Sequence, residues 1–446
     1  MVSVVILAAG HGTRMKSGLP KVFHTLGGKA IVHHVIDAAL GLNPSKVITI
    51  ISPLLKEEAV RGGRSVDCVV QSHPQGTGDA VRKALPLIHD NEDVLILCGD
   101  TPLLLPETLH DICKARQRYP QGIIVVGMRV FHGSSYGRMI TDDQGRLQRI
   151  VEFKDATPEE QAINLCNSGV ILARGCDLRL LLAELQPHNA AQEYYLTDIV
   201  ALGAAHQIPS WVVEIEDIAQ LQGINTRGDL ALAEYLLQDR WRRYHLSQGV
   251  TMIDPHSVYF HHDTIIGQDT TIYPNVTFGP EVVVGKEVII YPYCYMSKAT
   301  LKDGVHVGPF AHLRDHVVLE EKAEVGNFVE VKNTHLGQNA KVKHLSYLGD
   351  ALIHDRANIG AGTITCNYNG FAKSKTEVGV GAFIGSNTSL VAPVKVGDGA
   401  IVAAGSVITE DIPENSLGIA RQHQKVREGW AQHFRNKQSQ VKKDGQ

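Results

Sequence analysis

The sequence predicts two architectures in series. Residues 1–225 read as an α/β, doubly wound, mostly parallel sheet, 226–246 as a linker helix, and 247–446 as a parallel β-helix ending in a polar tail. Three observations carry this. Short β-branched apolar runs alternate with helical stretches in the first half. One segment then repeats its apolar residues at helical spacing. Beyond it, aliphatic–glycine dipeptides recur in multiples of six residues.

In the first half, 2–7, 47–51, 94–97 and 123–126 are apolar throughout, as strands buried on both faces should be, and 30–40 between the first two reads as a helix. In such a fold ligand sites collect at the carboxyl ends of the strands. The first strand runs out into Gly10-His11-Gly12-Thr13-Arg14-Met15, followed by Leu19-Pro20-Lys21. Glycines there leave backbone N–H groups open to an anion, and Arg14 and Lys21 add the positive charge a triphosphate calls for. The spacing excludes the Walker loop, which needs GK[ST], and the dinucleotide fingerprint, which needs a third glycine. The strand at 94–97 ends in Cys98-Gly99-Asp100-Thr101-Pro102, which puts the Asp100 carboxylate near that loop. An aspartate at a strand end is in most proteins a turn residue; as a hard oxygen donor beside a phosphate loop it also suits Mg2+.

From Thr226, a candidate N-cap, Leu230, Ala233, Leu237, Trp241 and Tyr244 recur at helical spacing, with Gly249 just beyond the end. The pattern is equally that of a helix joining two domains and of one belonging to the first core. Gly267 to Gly285 is eighteen residues, Gly308 to Gly326 eighteen, Gly337 to Gly349 twelve and Gly379 to Gly385 six. Each hexapeptide supplies one short strand and a corner, aliphatic residue inward, and three make a triangular coil. The nineteen-residue interval from Gly360 to Gly379 is out of step, so a loop carrying Cys366 to Lys373 should leave the coil there. Residues 421–446 read as a solvated, mildly basic tail.

A chain of 446 residues exceeds one ordinary core. Its seven cysteines form no CxxC pair and leave one odd, which suits a reducing cytoplasm better than disulfides or zinc. The apolar start lacks a basic region and a cleavage site, and no stretch reaches membrane-span length. A net charge of -4 gives no electrostatic case for nucleic acid as partner. Cytoplasmic location and small-molecule substrates are the expectation.

LAAGxGTRM followed by LPK resembles the signature of the sugar-1-phosphate nucleotidylyltransferases, with His11 at its variable position. The resemblance implies a UTP cradle from the backbone of Leu7, Ala8, Ala9 and Gly10, catalytic roles for Arg14 and Lys21, and Mg2+ on Asp100 and Asn225. Gln71, Gly76 and Thr77, in QSHPQGTGDA, fall on the uracil positions. Gly137 in YGR, Glu152 in IVEFKDA and Asn167 in NSG fall on those for the sugar and its acetamido group. The implied reaction is attack of a sugar 1-phosphate on the α-phosphorus of UTP, driven by positioning and charge neutralisation rather than a protein nucleophile.

The second half resembles hexapeptide acyltransferases, whose coils are left-handed against the general crossover rule. FVEVKN, KHLSYLGDA and NIGAGTITCNYNG, with the first-half motifs, resemble in order and over nearly the whole chain the bacterial bifunctional N-acetylglucosamine-1-phosphate uridyltransferase/glucosamine-1-phosphate N-acetyltransferase family. That resemblance makes His344 the general base of acetyl transfer, a role suited to an imidazole. It puts Arg314, Lys332, Tyr347 and Asn358 on the amino-sugar phosphate, and Ala361, Asn367, Tyr368, Ser386, Ala404 and Arg421 on acetyl-CoA. Independently, strand geometry puts Glu330 and Lys332 on one face. A homotrimer acting on glucosamine 1-phosphate, acetyl-CoA, UTP and N-acetylglucosamine 1-phosphate is expected. The alternatives are a nucleotidylyltransferase whose β-helix only assembles trimers, and a non-catalytic subunit, which should have lost Arg14, Lys21 or Asp100.

Overall fold

The computed structural model describes residues 1–10, 12–130 and 135–444, with side chains described to 440. His11 lies outside the described residues. The chain forms two compact units, Met1–Trp241 and Arg242–Gln446.

In the first unit the sheet strands are β1 (Val2–Ala8), β2 (Lys46–Ile51), β3 (Asp67–Val70), β4 (Asp93–Cys98), β5 (Ile123–Arg129), β6 (Arg138–Thr141), β7 (Leu147–Val151), β8 (Leu165–Arg174) and β9 (Ser210–Glu214), and the main path runs β9-β5-β8-β4-β1-β2-β3. The four strands expected from apolar runs are β1, β2, β4 and β5, and the expected helix is Ile31–Leu40. β1 pairs in parallel with both β2 and β4. Its alternate residues serve opposite cores: Val4, Ile6 and Ala8 pack with Val32, Ile36 and Leu109 on one face, Val5 with Val81, Leu181 and Ile199 on the other. Helices therefore cover both faces, the doubly wound arrangement.

β8 departs from the parallel plan, running antiparallel between β4 and β5. Its register with β5 shifts between Asn167 and Ile171, and Gly169 at φ 85° makes the turn that a side chain would strain. The irregularity re-aims the Asn167-Ser168-Gly169 backbone at the carboxyl ends of β1 and β4.

The helix Arg227–Ser247 begins at Thr226, whose hydroxyl accepts from the Asp229 N–H at 3.1 Å while Asp229 accepts from the Thr226 N–H at 2.8 Å. Ala233 and Leu237 bury into a cluster with Met15, Leu26 and Ile224 of the first unit. Tyr244, read as part of that stripe, is 58% exposed. In the last turn His245 is buried instead, 4.7 Å from the Phe260 ring. Adjacent helical residues lie about 100° apart, so the two side chains leave the helix in different directions, and here the His245 direction is the buried one.

The second unit is a β-helix whose short strands form three parallel sheets of ten, eight and eight strands among the described residues. Thr271–Ile272 stacks on Ile289–Ile290 and that on His306–Val307, successive strands visiting the three sheets in turn. Ile266, Val284, Val325, Ile384 and Val396, each preceding a glycine, point inward and are buried. The glycines are needed where coils approach: a Cβ on Gly326 would lie 1.9 Å from the Lys343 carbonyl oxygen. Ordinary coils advance seventeen or eighteen residues, but Asn358 pairs with Phe383, and the excess is the loop between Ile364–Cys366 and Thr376–Val378. The expected tail includes a helix, Trp430–Asp444, with exposed Trp430 and Phe434 stacked at 5.2 Å. No described helix is long and apolar enough to cross a membrane.

Candidate active sites

At the carboxyl end of β1, Gly12 takes φ 61° and the chain turns into the short helix Thr13–Met15. Buried Met15 anchors this turn in the cluster with Leu26 and Ile224, leaving Arg14 on the open side. Lys21 donates to Asp100 Oδ2 at 2.5 Å and to Asn225 Oδ1 at 3.1 Å, and Arg14 donates to the same Asn225 oxygen at 2.9 Å. Asp100 and Asn225 come from distant segments joined by the Ile224 N–H bonded to the Asp100 carbonyl at 2.9 Å. Two cations and two hard-oxygen donors thus meet beside the Gly10 loop. Asp229 holds Asn225 in place by accepting from its N–H at 2.9 Å.

A cleft of about 210 Å³ opens beside them, lined among others by Asp100, Tyr136, Gly137, Glu152, Asn167 and Asn225. Glu152 Oε1 accepts from the Thr197 hydroxyl at 3.1 Å. Burial pushes the Glu152 carboxyl above its ordinary range; the Thr197 bond opposes this, and the charges of Asp198 and Asp155 add to it. Asn167 Oδ1 accepts from the Gly169 N–H at 2.9 Å, and its own N–H donates to the Gly137 carbonyl at 2.8 Å. A larger cavity, about 520 Å³, lies at the amino ends of β2 and β3 between Lys46, Arg61 and Asp67, away from these groups.

Gln71 is buried, and its Nε2 donates to Asp79 Oδ2 at 2.8 Å and the Gly76 carbonyl at 3.2 Å. Both partners only accept, so the amide is oriented with Oε1 left as an acceptor. Gly76, at φ 116°, lies so close to Tyr194 that a Cβ would stand 2.5 Å from its carbonyl oxygen. Thr77 Oγ1 accepts from the Leu196 N–H at 3.0 Å.

In the β-helix, Arg314 and Lys332 are register partners on successive coils, and Glu330 shares their outer face. Arg314 donates through Nε to Glu330 at 2.8 Å and through Nη1 to Asp315 at 3.0 Å. The long loop brings Lys373 against Lys332 and lowers the Lys332 pKa, with burial adding to the effect. Asp350 accepts from Asn333 at 2.6 Å and Asn367 at 2.5 Å beneath these cations. Buried Asn367 therefore ties the loop to the cluster, whereas Tyr368 is 60% exposed. Tyr347 pairs with Glu330 on the same sheet. Asn358 lies on the adjacent sheet, in register with Lys341.

His344 stands at a corner of the prism, exposed, with Nδ1 2.7 Å from Asn327 Oδ1. Coil by coil the same corner column continues through Ala361, Ser386 and Ala404: the Gly362 N–H bonds the His344 carbonyl, the Asn387 N–H that of Ala361, and the Gly405 N–H that of Ser386. Arg421 comes within 4.0 Å of the Cβ position of Gly405. The next residue at this corner is Phe310, Phe328 and Leu345 up to His344, and Gly362, Asn387 and Gly405 beyond it.

Residues 4–142 match the MobA-like NTP transferase domain, and 263–298 the bacterial transferase hexapeptide repeats. The chain is 46% identical over 451 residues to the Bifunctional protein GlmU of Paramagnetospirillum magneticum, covering 99% of each. It is 42% identical over 441 residues to that of Zymomonas mobilis, covering 98% of each. It belongs to the bifunctional GlmU family. Within that family it is an enzyme with a nucleotidyltransferase domain and a hexapeptide acyltransferase domain in one chain.

Several groups at these GlmU sites had no signal in the sequence. Asp229, Asp79, Thr197 and Asn327 hydrogen-bond Asn225, Gln71, Glu152 and His344, and nothing in their local sequence distinguishes them from cap, turn or coil residues. Lys373 lay in a loop recognisable by its broken period, yet its nearness to Lys332 depends on where that loop folds back.

Proposed function

We propose that the two sites divide the synthesis of UDP-N-acetylglucosamine between them. The β-helix transfers acetyl from acetyl-CoA to the amine of glucosamine 1-phosphate, and the α/β domain joins the product to UTP with release of pyrophosphate. The observation that carries this reading is the meeting of Arg14, Lys21, Asp100 and Asn225 beside a cleft lined by Gly137, Glu152 and Asn167.

In the α/β domain the backbone of Leu7, Ala8, Ala9 and Gly10 cradles the triphosphate, while Arg14 and Lys21 offset charge on the reacting phosphates. Gln71, with Oε1 free, accepts from the imide N–H of uracil, and Gly76 and Thr77 border the base. Glu152 as carboxylate accepts from sugar hydroxyls, and Gly137 and Asn167 border the acetamido group. Asp100 and Asn225 would hold Mg2+. Their oxygens are hard donors and already flank one cation, the Lys21 ammonium, so the pair fits the ion. When bound, Mg2+ supplies positive charge that offsets the phosphates.

In the β-helix, Arg314, Lys332 and Lys373 receive the phosphate of glucosamine 1-phosphate, with Tyr347 and Asn358 beside the sugar. His344 Nε2 takes the proton from the amine as it attacks the thioester carbonyl, and as the C–S bond breaks the imidazolium returns a proton to the departing sulfur, so that coenzyme A leaves as the thiol. The column of Ala361, Ser386, Ala404 and Arg421 supports acetyl-CoA lying along the coils, and Asn367 and Tyr368 flank it.

A homotrimer is supported by the stacked, half-exposed Tyr293, Phe310 and Phe328, with centroids 4.9 and 5.0 Å apart. All three hold positive φ, a conformation costing bulky residues of order 1 kcal/mol each, and solvent returns nothing for it. The seven cysteines are free, which suits a reducing cytoplasm.

The test is one assay with UTP, acetyl-CoA and glucosamine 1-phosphate that follows thiol and pyrophosphate separately. His344→Ala should lower thiol release by about a hundred- to ten-thousandfold while uridylyl transfer to pre-acetylated sugar phosphate is unchanged. Near-normal thiol release by His344→Ala would overturn the assignment of the base, whereas a wild-type chain that releases no thiol would leave the β-helix as a trimerising stalk.

A further inference from the structure

We infer that Asn327 is a positioning residue of acetyl transfer: it fixes the His344 ring in the Nδ1–H tautomer and so presents Nε2 as the unprotonated base. The inference rests on the reading of His344 as that base. Asn327 and His344 are register partners on successive coils, and their side chains meet at 2.7 Å through Asn327 Oδ1 and His344 Nδ1. An amide oxygen only accepts, so the shared hydrogen belongs to Nδ1, and a neutral imidazole then has its lone pair on Nε2. Free histidine favours the opposite tautomer, in which Nε2 carries the hydrogen and cannot take another.

The contact has a second consequence for the reaction. When Nε2 accepts the amine proton, the ring becomes an imidazolium whose Nδ1–H still points at an amide dipole. That dipole stabilises the cation without the fixed negative charge that would hold the ring protonated beforehand. The charged groups around this corner leave the role to Asn327. Glu324, on the strand below, accepts from Lys343 at 2.5 Å and Lys341 at 3.2 Å. Tyr291 and His306 line the far side of a groove of about 390 Å³ that Asn327 and His344 also border.

The experiment compares Asn327→Ala, Asn327→Asp and His344→Ala in the full-length protein, with acetyl transfer measured from acidic to alkaline pH and uridylyl transfer and melting temperature as controls. Asn327→Ala should reduce kcat for acetylation about ten- to hundredfold with KM for both substrates changed less than about twofold, and leave uridylyl transfer intact. Asn327→Asp keeps an acceptor and should recover most of the lost rate at alkaline pH, with the acid limb of its profile moved upward because a carboxylate favours the imidazolium. If Asn327→Ala acetylates at the wild-type rate while His344→Ala does not, the positioning role is overturned and the base assignment stands. If Asn327→Asp is as slow as Asn327→Ala at every pH, an acceptor at that position does not restore the rate, and the inference also fails. If His344→Ala itself acetylates normally, the underlying reading fails.

Discussion

Lys21 and Asp100 form an ion pair of 2.5 Å between the segment after the Gly10 loop and the end of β4, with side chains only 12% and 22% exposed. The same ammonium bonds Asn225, so one cation bridges the two oxygens proposed to hold Mg2+. Asp100→Ala should therefore reduce UTP-dependent pyrophosphate release by at least about a hundredfold, because it removes a metal donor and leaves Lys21 without its carboxylate partner. Thiol release from acetyl-CoA should continue at its normal rate. Equal loss of both activities would point to a folding defect.

Glu152 supplies a pH dependence whose sign is set by burial. Its carboxyl is raised above the ordinary range, so the carboxylate that accepts from sugar hydroxyls begins to disappear at a higher pH than an exposed glutamate would. KM for N-acetylglucosamine 1-phosphate should rise as pH falls through that region, and Glu152→Gln should flatten the rise. A raised folded-state pKa also means that the stability linked to the protonated form is lost as pH increases. The melting temperature of Glu152→Gln should accordingly exceed the wild-type value at neutral pH and converge with it in acid.

Arg314, Lys332 and Lys373 crowd positive charge onto one face, and Lys332 is lowered by Lys373 beside it. An anion relieves that repulsion. Inorganic phosphate should raise the melting temperature of the full chain, less so at high salt, and Lys332→Ala should remove most of the effect. The same substitution should raise KM for glucosamine 1-phosphate about tenfold or more and leave uridylyl transfer unchanged. A phosphate response that survives Lys332→Ala would place the anion elsewhere.

The stacked corner of Tyr293, Phe310 and Phe328 predicts the assembly state. Light scattering on the wild-type chain should report three subunits, and Phe310→Asp with Phe328→Asp should shift it towards monomers because charge would enter an apolar contact. An unchanged mass would remove this face from the interface.

The sequence by itself determined whatever depends on local periodicity. Two-residue alternation in an apolar run decides which residues of β1 face each core. A six-residue aliphatic–glycine step decides which residues fill the β-helix, and a break in that step locates the loop before Thr376. Gly10, Arg14, Lys21 and Asp100 were legible for a related reason, since each lies at or just beyond a strand end that its neighbours specify, whereas His344 was singled out only by the resemblance to a known family. Only the tertiary structure decided what meets across the chain. β8 enters the sheet antiparallel, and its shifted register aims Asn167 at the cleft. Asn225 lies 204 residues from Lys21, Lys373 folds back onto Lys332, and Asn327 comes beneath His344 because one coil advances seventeen residues. Such contacts are set by strand register and coil stacking, which local sequence does not encode, and they decide the orientation and protonation of the groups that the motifs name.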